Sequence, residues 1–171
     1  MLAATAVNAE EIILNNIIYS ADESTQECTV TGLEDWDLEM GDVVIPAQVT
    51  GETGIVYTVT TIEEDAFSDC ETITSITFPD TLTEILANAF TGSTSLQTVN
   101  FGSGLTTIGD SAFDSCTALT SVTLPESLTS IGEYAFYSCT AMTSADLSAC
   151  DQLFQEYYAD PESVFNGCTS L

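Results

Sequence analysis

The side chains of this sequence that could do chemistry are its thiols and carboxylates. Among 171 residues there are six cysteines and 27 Asp and Glu residues, but no His, Lys or Arg. The cysteines are Cys28, Cys70, Cys116, Cys139, Cys150 and Cys168. A catalytic thiol needs a neighbouring base, and a structural zinc site needs His or closely paired Cys ligands. The sequence offers neither a histidine base nor a C-x-x-C pair, so it argues against both kinds of site.

The most economical role for these cysteines is to fill small buried positions, since free Cys is among the most buried residue types. Two disulfides remain alternatives. Cys116 and Cys139 occupy the same position in successive copies of a repeat described below and would be stacked neighbours. Cys150 and Cys168 lie on either side of an insertion in that repeat.

One group of carboxylates, in the stretch "LEDWDLEMGD", includes Asp35, Asp37, Glu39 and Asp42. Clustered oxygen ligands suit Ca²⁺. The match to an EF-hand loop is poor, because Gly41 comes one place late and no Glu follows at the required distance. We therefore predict a solvated acidic loop and no cofactor, with Ca²⁺ at the acidic loops as the weaker alternative.

The formal net charge of −27 limits the kinds of molecule that the chain is expected to bind. Nucleic acid and anionic membranes both need Lys or Arg to neutralise phosphate, so neither is an expected partner. A span of the bilayer needs about 20 apolar residues. The run "IILNNII" at 12–18 is far shorter and contains two Asn, so we predict no membrane insertion in this segment.

A repeat of 23 residues organises most of the chain. The dipeptide Ala-Phe recurs at this interval, and apolar residues keep step on both sides of it. Its phenylalanines are Phe67, Phe90, Phe113 and Phe136. A partial fifth copy, "VFNGCTSL", begins at Val164 after an insertion near 152–163. A fixed period of this length is typical of a solenoid, in which stacked coils bury apolar columns that one coil could not bury alone.

The pattern within one repeat predicts the shape of one coil. In "LTSVTLP", Val122 and Leu124 alternate with polar residues and predict a short strand that pairs in parallel with its copies. In "GDSAFDSC", the spacing of Ala112, Phe113 and Cys116 predicts one helical turn on the opposite side of the coil.

The stretch "LPESLTSIGEYAFYSCTAMTSADL" resembles the BspA-type leucine-rich repeat, LPxxLxxIGxxAFxxCxxLxxIxLP. The resemblance covers 59–171, although Ser93 replaces the usual Cys and "FGSGL" replaces "LPxxL". It implies an α/β solenoid: a leucine-rich repeat array of 23-residue coils, each with a short parallel strand and a helical turn. The sequence stops within a repeat, which predicts a piece of a longer array.

The N-terminal part resembles the β-hairpin cap that begins such arrays. We predict "GDVVIP" and "YTVTTI" as its paired strands, with "TGETG" near the turn. The resulting organisation is a β-rich cap at 10–58 and repeats at 59–171. Residues 1–9 fit the remnant of a signal peptide, and an ordinary start of the fold is the alternative.

Two groups of side chains are candidate binding residues. On the predicted strands, the polar residues between the buried ones face outward and would form two files. Those residues are Ser75, Thr77, Thr98, Asn100, Ser121, Thr123, Ser144 and Asp146. The alternative is an ordinary soluble sheet surface. The second candidate is an aromatic patch of Tyr134, Tyr137, Tyr157 and Tyr158, whose alternative is packing under the insertion or against a further repeat.

The resemblance implies a non-catalytic adhesion or protein-binding module, secreted or at the cell surface. Its partner would be another protein or cell-surface ligand. The alternative is a structural spacer of a larger surface protein without a ligand of its own. We predict no enzyme, because a carboxylate pair of the glycosidase kind needs a cleft that a thin solenoid does not supply.

Overall fold

The computed structural model describes residues 9–149, 153 and 161–171. In chain order, its elements are β1 (Ala9–Leu14), β2 (Ile17–Asp22), β3 (Glu27–Leu33), β4 (Gly41–Val44), β5 (Gln48–Thr50), β6 (Val56–Ile62), β7 (Ile73–Thr77), β8 (Glu84–Ile85), β9 (Thr98–Asn100), β10 (Thr107–Ile108), β11 (Ser121–Thr123), β12 (Ser130–Ile131), β13 (Ser144–Asp146) and α1 (Pro161–Val164).

These strands form two sheets that run along the solenoid. Sheet A has the order β1-β2-β3-β6-β8-β10-β12, with β5 paired to β6, and sheet B has the order β13-β11-β9-β7-β4. Every pair between coils is parallel, as in the pairing of Val122 with Ala145. From β6 onward, the chain passes from a strand of sheet A through a turn to a strand of sheet B, and a second turn brings it back to sheet A. The predicted parallel strands of the repeats are those of sheet B.

The core lies inside the coils as columns of identical or similar side chains. The phenylalanine column consists of Phe67, Phe90, Phe113, Phe136 and Phe165. Its successive rings stack nearly parallel, with centroids 5.0–5.5 Å apart. A column of isoleucines, one from each short strand of sheet A, is also buried. Each apolar face is thus covered by the next coil, which a single coil could not do for itself.

The prediction of one helical turn per coil is not confirmed. In the four complete repeats, the segment around Ala-Phe is a series of turns, and the helix in the described residues is α1, four residues long. The reason lies in the backbone. Asp65 and Asp69 have φ values of 59° and 56°, in the left-handed region that interrupts an α-helix. The N–H groups of Asp65, Phe67 and Asp69 donate to carbonyls of the next coil and not to an intrahelical partner.

The predicted pairing within the cap is wrong. The segment 41–44 forms β4, which joins the edge of sheet B in parallel with β7. The antiparallel partner of β6 is β5, and the turn between them lies at 51–54. The reason is the Pro46 that follows β4, since proline cannot donate to a ladder and the chain turns there into β5. The rest of the cap is an antiparallel meander of β1, β2 and β3. Residues 1–8 lie outside the described residues.

Hydroxyl groups take the place of salt bridges between coils. Since the chain has no basic side chain, none of its carboxylates can pair with one. Instead, Thr83, Thr106 and Thr129 each donate a hydroxyl hydrogen bond of 3.0–3.2 Å to the carbonyl of the matching Thr in the preceding coil. Each of these Thr residues directly precedes a short strand of sheet A, where its hydroxyl satisfies a backbone acceptor of the preceding coil.

Candidate binding surface

The outward side of sheet B, named here the sheet B face, brings the predicted polar residues together. Strand pairing places Ser75, Thr98, Ser121 and Ser144 in one file and Thr77, Asn100, Thr123 and Asp146 in a second. The six residues on β9, β11 and β13 are exposed, and Ser75 and Thr77 on β7 are half-buried. The face is therefore continuous over four coils.

The cap lengthens both files, which the sequence did not predict. Asp42 pairs with Ser75 in the first file, and Val44 pairs with Thr77 in the second. The Asp42 carboxylate accepts a 2.7 Å hydrogen bond from the Ser75 hydroxyl, and the Val44 side chain is 69% exposed. The β-branched residues of "GDVVI" favour a strand, but nothing local indicated which sheet it would join.

Most hydroxyl groups of the sheet B face are available to a ligand. Among the described residues, the side chains of Thr98, Ser121 and Thr123 make no hydrogen bond within the chain, and Asn100 donates one of 3.2 Å to Thr77. A Ser or Thr hydroxyl both donates and accepts, so such a face can match either kind of group on a partner.

Carboxylates border one end of the sheet B face. A shallow groove there is lined by Asp80, Asn100, Ser103, Ser121 and Glu126, among others. The backbone N–H and the hydroxyl of Ser103 donate to Asp80 at 2.8 and 2.9 Å, and these bonds lower the pKa of that carboxyl. The border therefore stays negative at neutral pH.

The aromatic patch is only partly described. Tyr134 and Tyr137 pack edge to face with ring centroids 5.7 Å apart, and they are 44% and 36% exposed. We name these two residues the tyrosine corner. They lie on the turn that leads from sheet A to sheet B, away from the sheet B strands. Tyr157 and Tyr158 lie outside the described residues.

The cysteines form a column of free thiols. Three of these thiols donate to the backbone carbonyl of the stacked Phe in the preceding coil, at 3.1–3.2 Å. The pairs are Cys116 with Phe90, Cys139 with Phe113, and Cys168 with Phe136. Where Ser93 replaces the usual Cys, its buried hydroxyl donates the same kind of bond to the Phe67 carbonyl, at 2.8 Å. Cys116 and Cys139 are free and not joined to each other. The Cys168 thiol is also free, and Cys150 lies outside the described residues.

Burial keeps these thiols protonated. It raises the pKa of Cys116 to about 12, with a smaller contribution from the negative charge of Asp114, and it raises the pKa of Cys139 well above its usual range. A thiolate is the nucleophilic form of Cys, so burial disfavours the reactive form of Cys116 and Cys139.

The acidic loop does not gather its carboxylates around a centre. Asp35 accepts from the backbone N–H of Asp37, whereas Asp42 is engaged with Ser75 on the sheet B face. Within 9–149, 153 and 161–171, no three Asp, Glu, Cys or His side chains lie together as metal ligands would. The Ca²⁺ alternative stays a prediction without a described site.

A comparison of the sequence with models of protein families identifies the family. The family model described as "BspA type Leucine rich repeat region (6 copies)" matches residues 52–171. The chain belongs to the BspA-type leucine-rich repeat family. The resemblance found in the sequence is thereby confirmed. No curated protein matches the chain.

Solved structures of bacterial leucine-rich repeat proteins share the fold. A leucine-rich repeat protein from Bacteroides capillosus is 26% identical with a TM-score of 0.70, and the match covers 80% of this chain and 97% of that one. A leucine rich cell surface protein from Faecalibacterium prausnitzii is 25% identical with a TM-score of 0.61, covering 84% of this chain and 44% of that one. The pneumococcal vaccine antigen PcpA is 28% identical with a TM-score of 0.64, covering 81% of this chain and 38% of that one.

The chain thus spans less than half of the last two proteins. None of the helices in the part that the structure describes is long and apolar enough to cross a membrane.

Proposed function

We propose that this BspA-type chain is a non-catalytic protein-binding module, secreted or displayed at the cell surface, which binds its partner with the sheet B face. The single observation that carries the proposal is the register of sheet B, which lines up exposed polar side chains in two files. Solenoids commonly use such extended surfaces for binding. Two of the similar structures are described as a cell surface protein and a vaccine antigen, and these descriptions support the location.

The charge of the chain limits the partner. With 27 carboxylates and no basic side chain, the molecule repels acidic surfaces at neutral pH. Carboxylates at the border of the sheet B face, such as Asp80 and Glu126, would meet the rim of any bound protein. The fitting partner is a protein or cell-surface ligand with a neutral centre and a basic rim, which electrostatic steering would bring in quickly at low salt.

A substitution pair tests the sheet B face. Ser121→Tyr with Thr123→Tyr places bulky residues at its centre, and aromatic residues are well tolerated on strands. Ser130→Tyr is the matched control, because it makes the same change at an exposed position on sheet A. All three proteins would be measured by surface plasmon resonance against a panel of purified extracellular and cell-surface proteins.

We expect the double variant to lose at least about tenfold in affinity for any ligand of the wild-type chain, the loss typical of a blocked interface centre. The Ser130→Tyr variant should bind like the wild type. If the double variant binds as well as the control, the sheet B face is not the binding site. If the wild-type chain binds nothing in the panel, the result favours the other candidate, a structural spacer.

A further inference from the structure

The tyrosine corner differs from the earlier coils in the residue types that it places on a shared backbone conformation. Each of the four complete coils has a residue with positive φ two places before its Phe. Asp65, Asn88 and Ser111 hold this position in the earlier coils, and Tyr134 holds it in the fourth with φ 59°. Asp and Asn are enriched in this conformation, whereas a bulky residue there is an outlier. Strained residues of this kind persist where the surrounding structure or a function maintains them.

The second feature is the chemistry around the two rings. A groove beside them is lined by Ser111, Asp114 and Asn166 as well as by the tyrosines. The hydroxyl of Ser115 donates to one oxygen of Asp114 at 2.7 Å. Aromatic faces together with a carboxylate form a suitable environment for a cation, because the ring quadrupole and the negative charge attract it jointly.

The third feature is that the chain cannot fill this groove with a cation of its own. The sequence contains no Lys, Arg or His side chain. The edge-to-face packing of Tyr134 on Tyr137 leaves both rings partly open, at 44% and 36% exposure. A cation that meets these rings must therefore come from another molecule.

We propose that the tyrosine corner and Asp114 bind the guanidinium group of an arginine from a basic protein segment. Guanidinium is favoured over ammonium because its plane stacks on an aromatic ring while its edge donates to a carboxylate. The site lies on the turns and not on the sheet B face, so it does not depend on the function proposed above.

The test is an NMR titration that follows the ring signals of the tyrosines in the full chain. The probe is N-acetylarginine methylamide, and the matched neutral probe is N-acetylcitrulline methylamide, which has nearly the same shape without the charge. We expect saturable shifts at Tyr134 and Tyr137 with the arginine probe, and affinity at least about tenfold weaker with the citrulline probe.

Three variants separate the site from the general field of the protein. Tyr134→Asn with Tyr137→Thr restores the residues of the second coil, Asn88 and Thr91, and should abolish the saturable binding. Asp114→Asn should weaken it severalfold. Glu71→Gln removes one charge from an exposed position in another coil and should leave the affinity unchanged.

Thermal unfolding of the single variant Tyr134→Asn shows whether strain is stored at this position. Since Asn adopts positive φ readily, Tyr134→Asn should melt at the wild-type temperature or about 2–4 °C above it while it loses the arginine probe. A melting temperature below that of the wild type would overturn the assignment of strain.

Other outcomes overturn the site itself. If the arginine probe binds the Asn/Thr double variant as tightly as the wild type, or if Glu71→Gln weakens binding as much as Asp114→Asn, the attraction comes from the net charge alone. If methyl β-D-glucopyranoside shifts the two rings with higher affinity than the arginine probe, the corner is a saccharide site. Asp114→Asn and the citrulline probe keep the proposal testable even if the double variant fails to fold.

Discussion

At the scale of single residues, two buried tyrosines of the cap show how polar groups decide stability. Tyr57 donates its hydroxyl to the carboxylate of Glu10 at 3.0 Å, and the backbone N–H of Glu52 donates to the other oxygen. Tyr19 is equally buried, yet its hydroxyl has no hydrogen-bond partner. A buried hydroxyl without a partner costs free energy, whereas a bond to a charged group is among the stronger ones.

The pair therefore gives opposite expectations for the same substitution. Tyr57→Phe should lower the free energy of unfolding, because it breaks a bond to a carboxylate. Tyr19→Phe should leave it unchanged or raise it by up to about 1 kcal/mol, because it removes only an unsatisfied group. Urea unfolding of both variants measures the difference. A loss in Tyr19→Phe as large as that in Tyr57→Phe would mean that the Tyr19 hydroxyl has a partner in solution.

The buried thiols predict how stability depends on alkaline pH. Below about pH 8.5, the thiols are protonated in the folded and the unfolded chain, and their contribution is complete. Above that pH the unfolded chain releases thiol protons that the folded chain retains, because burial raises the pKa of Cys116 to about 12. Stability then falls by about 1.4 kcal/mol per pH unit for each such thiol until the pH reaches the folded pKa.

The variant Cys116→Ser with Cys139→Ser should flatten this loss, since a serine hydroxyl does not ionise in that range. The position tolerates a hydroxyl, as Ser93 shows by making the equivalent hydrogen bond. Urea unfolding from about pH 8 to pH 11 compares the two slopes, and the tyrosines contribute equally to both proteins. Identical slopes would mean that the two thiols ionise as easily in the folded chain as in the unfolded one.

At the scale of the element, one coil is a weak unit that its neighbours complete. The ring of Phe113 lies between those of Phe90 and Phe136, with centroids 5.0 and 5.2 Å away, and it meets Phe101 edge to face. Phe165 stacks on Phe136 alone among the described rings, and its side chain is half-buried. The same substitution at these two places therefore removes different amounts of packing.

We expect Phe113→Leu to lower the free energy of unfolding by about 1–3 kcal/mol and Phe165→Leu by less than half of that. Thermal and urea unfolding of the two variants provide the comparison. Because neighbouring coils share the column, Phe113→Leu should also broaden the transition as the array loses cooperativity. Equal effects at the two positions would show that each coil is stable without its neighbours.

Some elements of the repeats could be predicted from the sequence, and others could not. The strands of sheet B follow from alternation, and the 23-residue period alone places Ser121 beside Thr98 and Ser144. The strands of sheet A in the repeats are two residues long, which is too short for any periodicity to reveal. The prediction of a helical turn was not confirmed, because the spacing of Ala112, Phe113 and Cys116 fits a helix and a series of turns equally well.

The parts of the binding surface that escaped prediction depend on contacts between distant segments. Asp42 and Val44 join the sheet B face only because β4 pairs with β7, about thirty residues later in the chain. The strain at Tyr134 depends on a backbone conformation that the earlier coils signal with Asp65 and Asn88. A comparison of these positions across the repeats was the available signal for it.

At the scale of the whole molecule, every charged side chain is acidic, and this determines how the protein responds to a fall in pH. At neutral pH the net charge of −27 keeps copies of the chain apart. Hydrogen bonds from Ser148 lower the pKa of Asp146, and hydrogen bonds from Ser103 do the same for Asp80, so these two carboxylates stay ionised to a lower pH than an ordinary Asp. The stabilising contribution of such a group is present at higher pH and is lost as the pH falls through its folded pKa.

Acidification should therefore cause association that stronger acid does not reverse. Near pH 4 most carboxylates become neutral, and there is no basic side chain whose charge could replace their repulsion. Exposed apolar residues of the cap, including Trp36, Leu38 and Val44, then meet against a much weaker repulsion between copies. Most proteins regain solubility at about pH 2 as a net positive charge develops, whereas this chain has only its terminal amine to supply one.

Light scattering from about pH 7 to pH 2 should rise near pH 4 and stay high, while added salt at pH 7 stabilises the fold by screening. A clear, monodisperse sample at pH 4 would show that hydration of the Ser and Thr surface, and not charge, keeps the protein in solution.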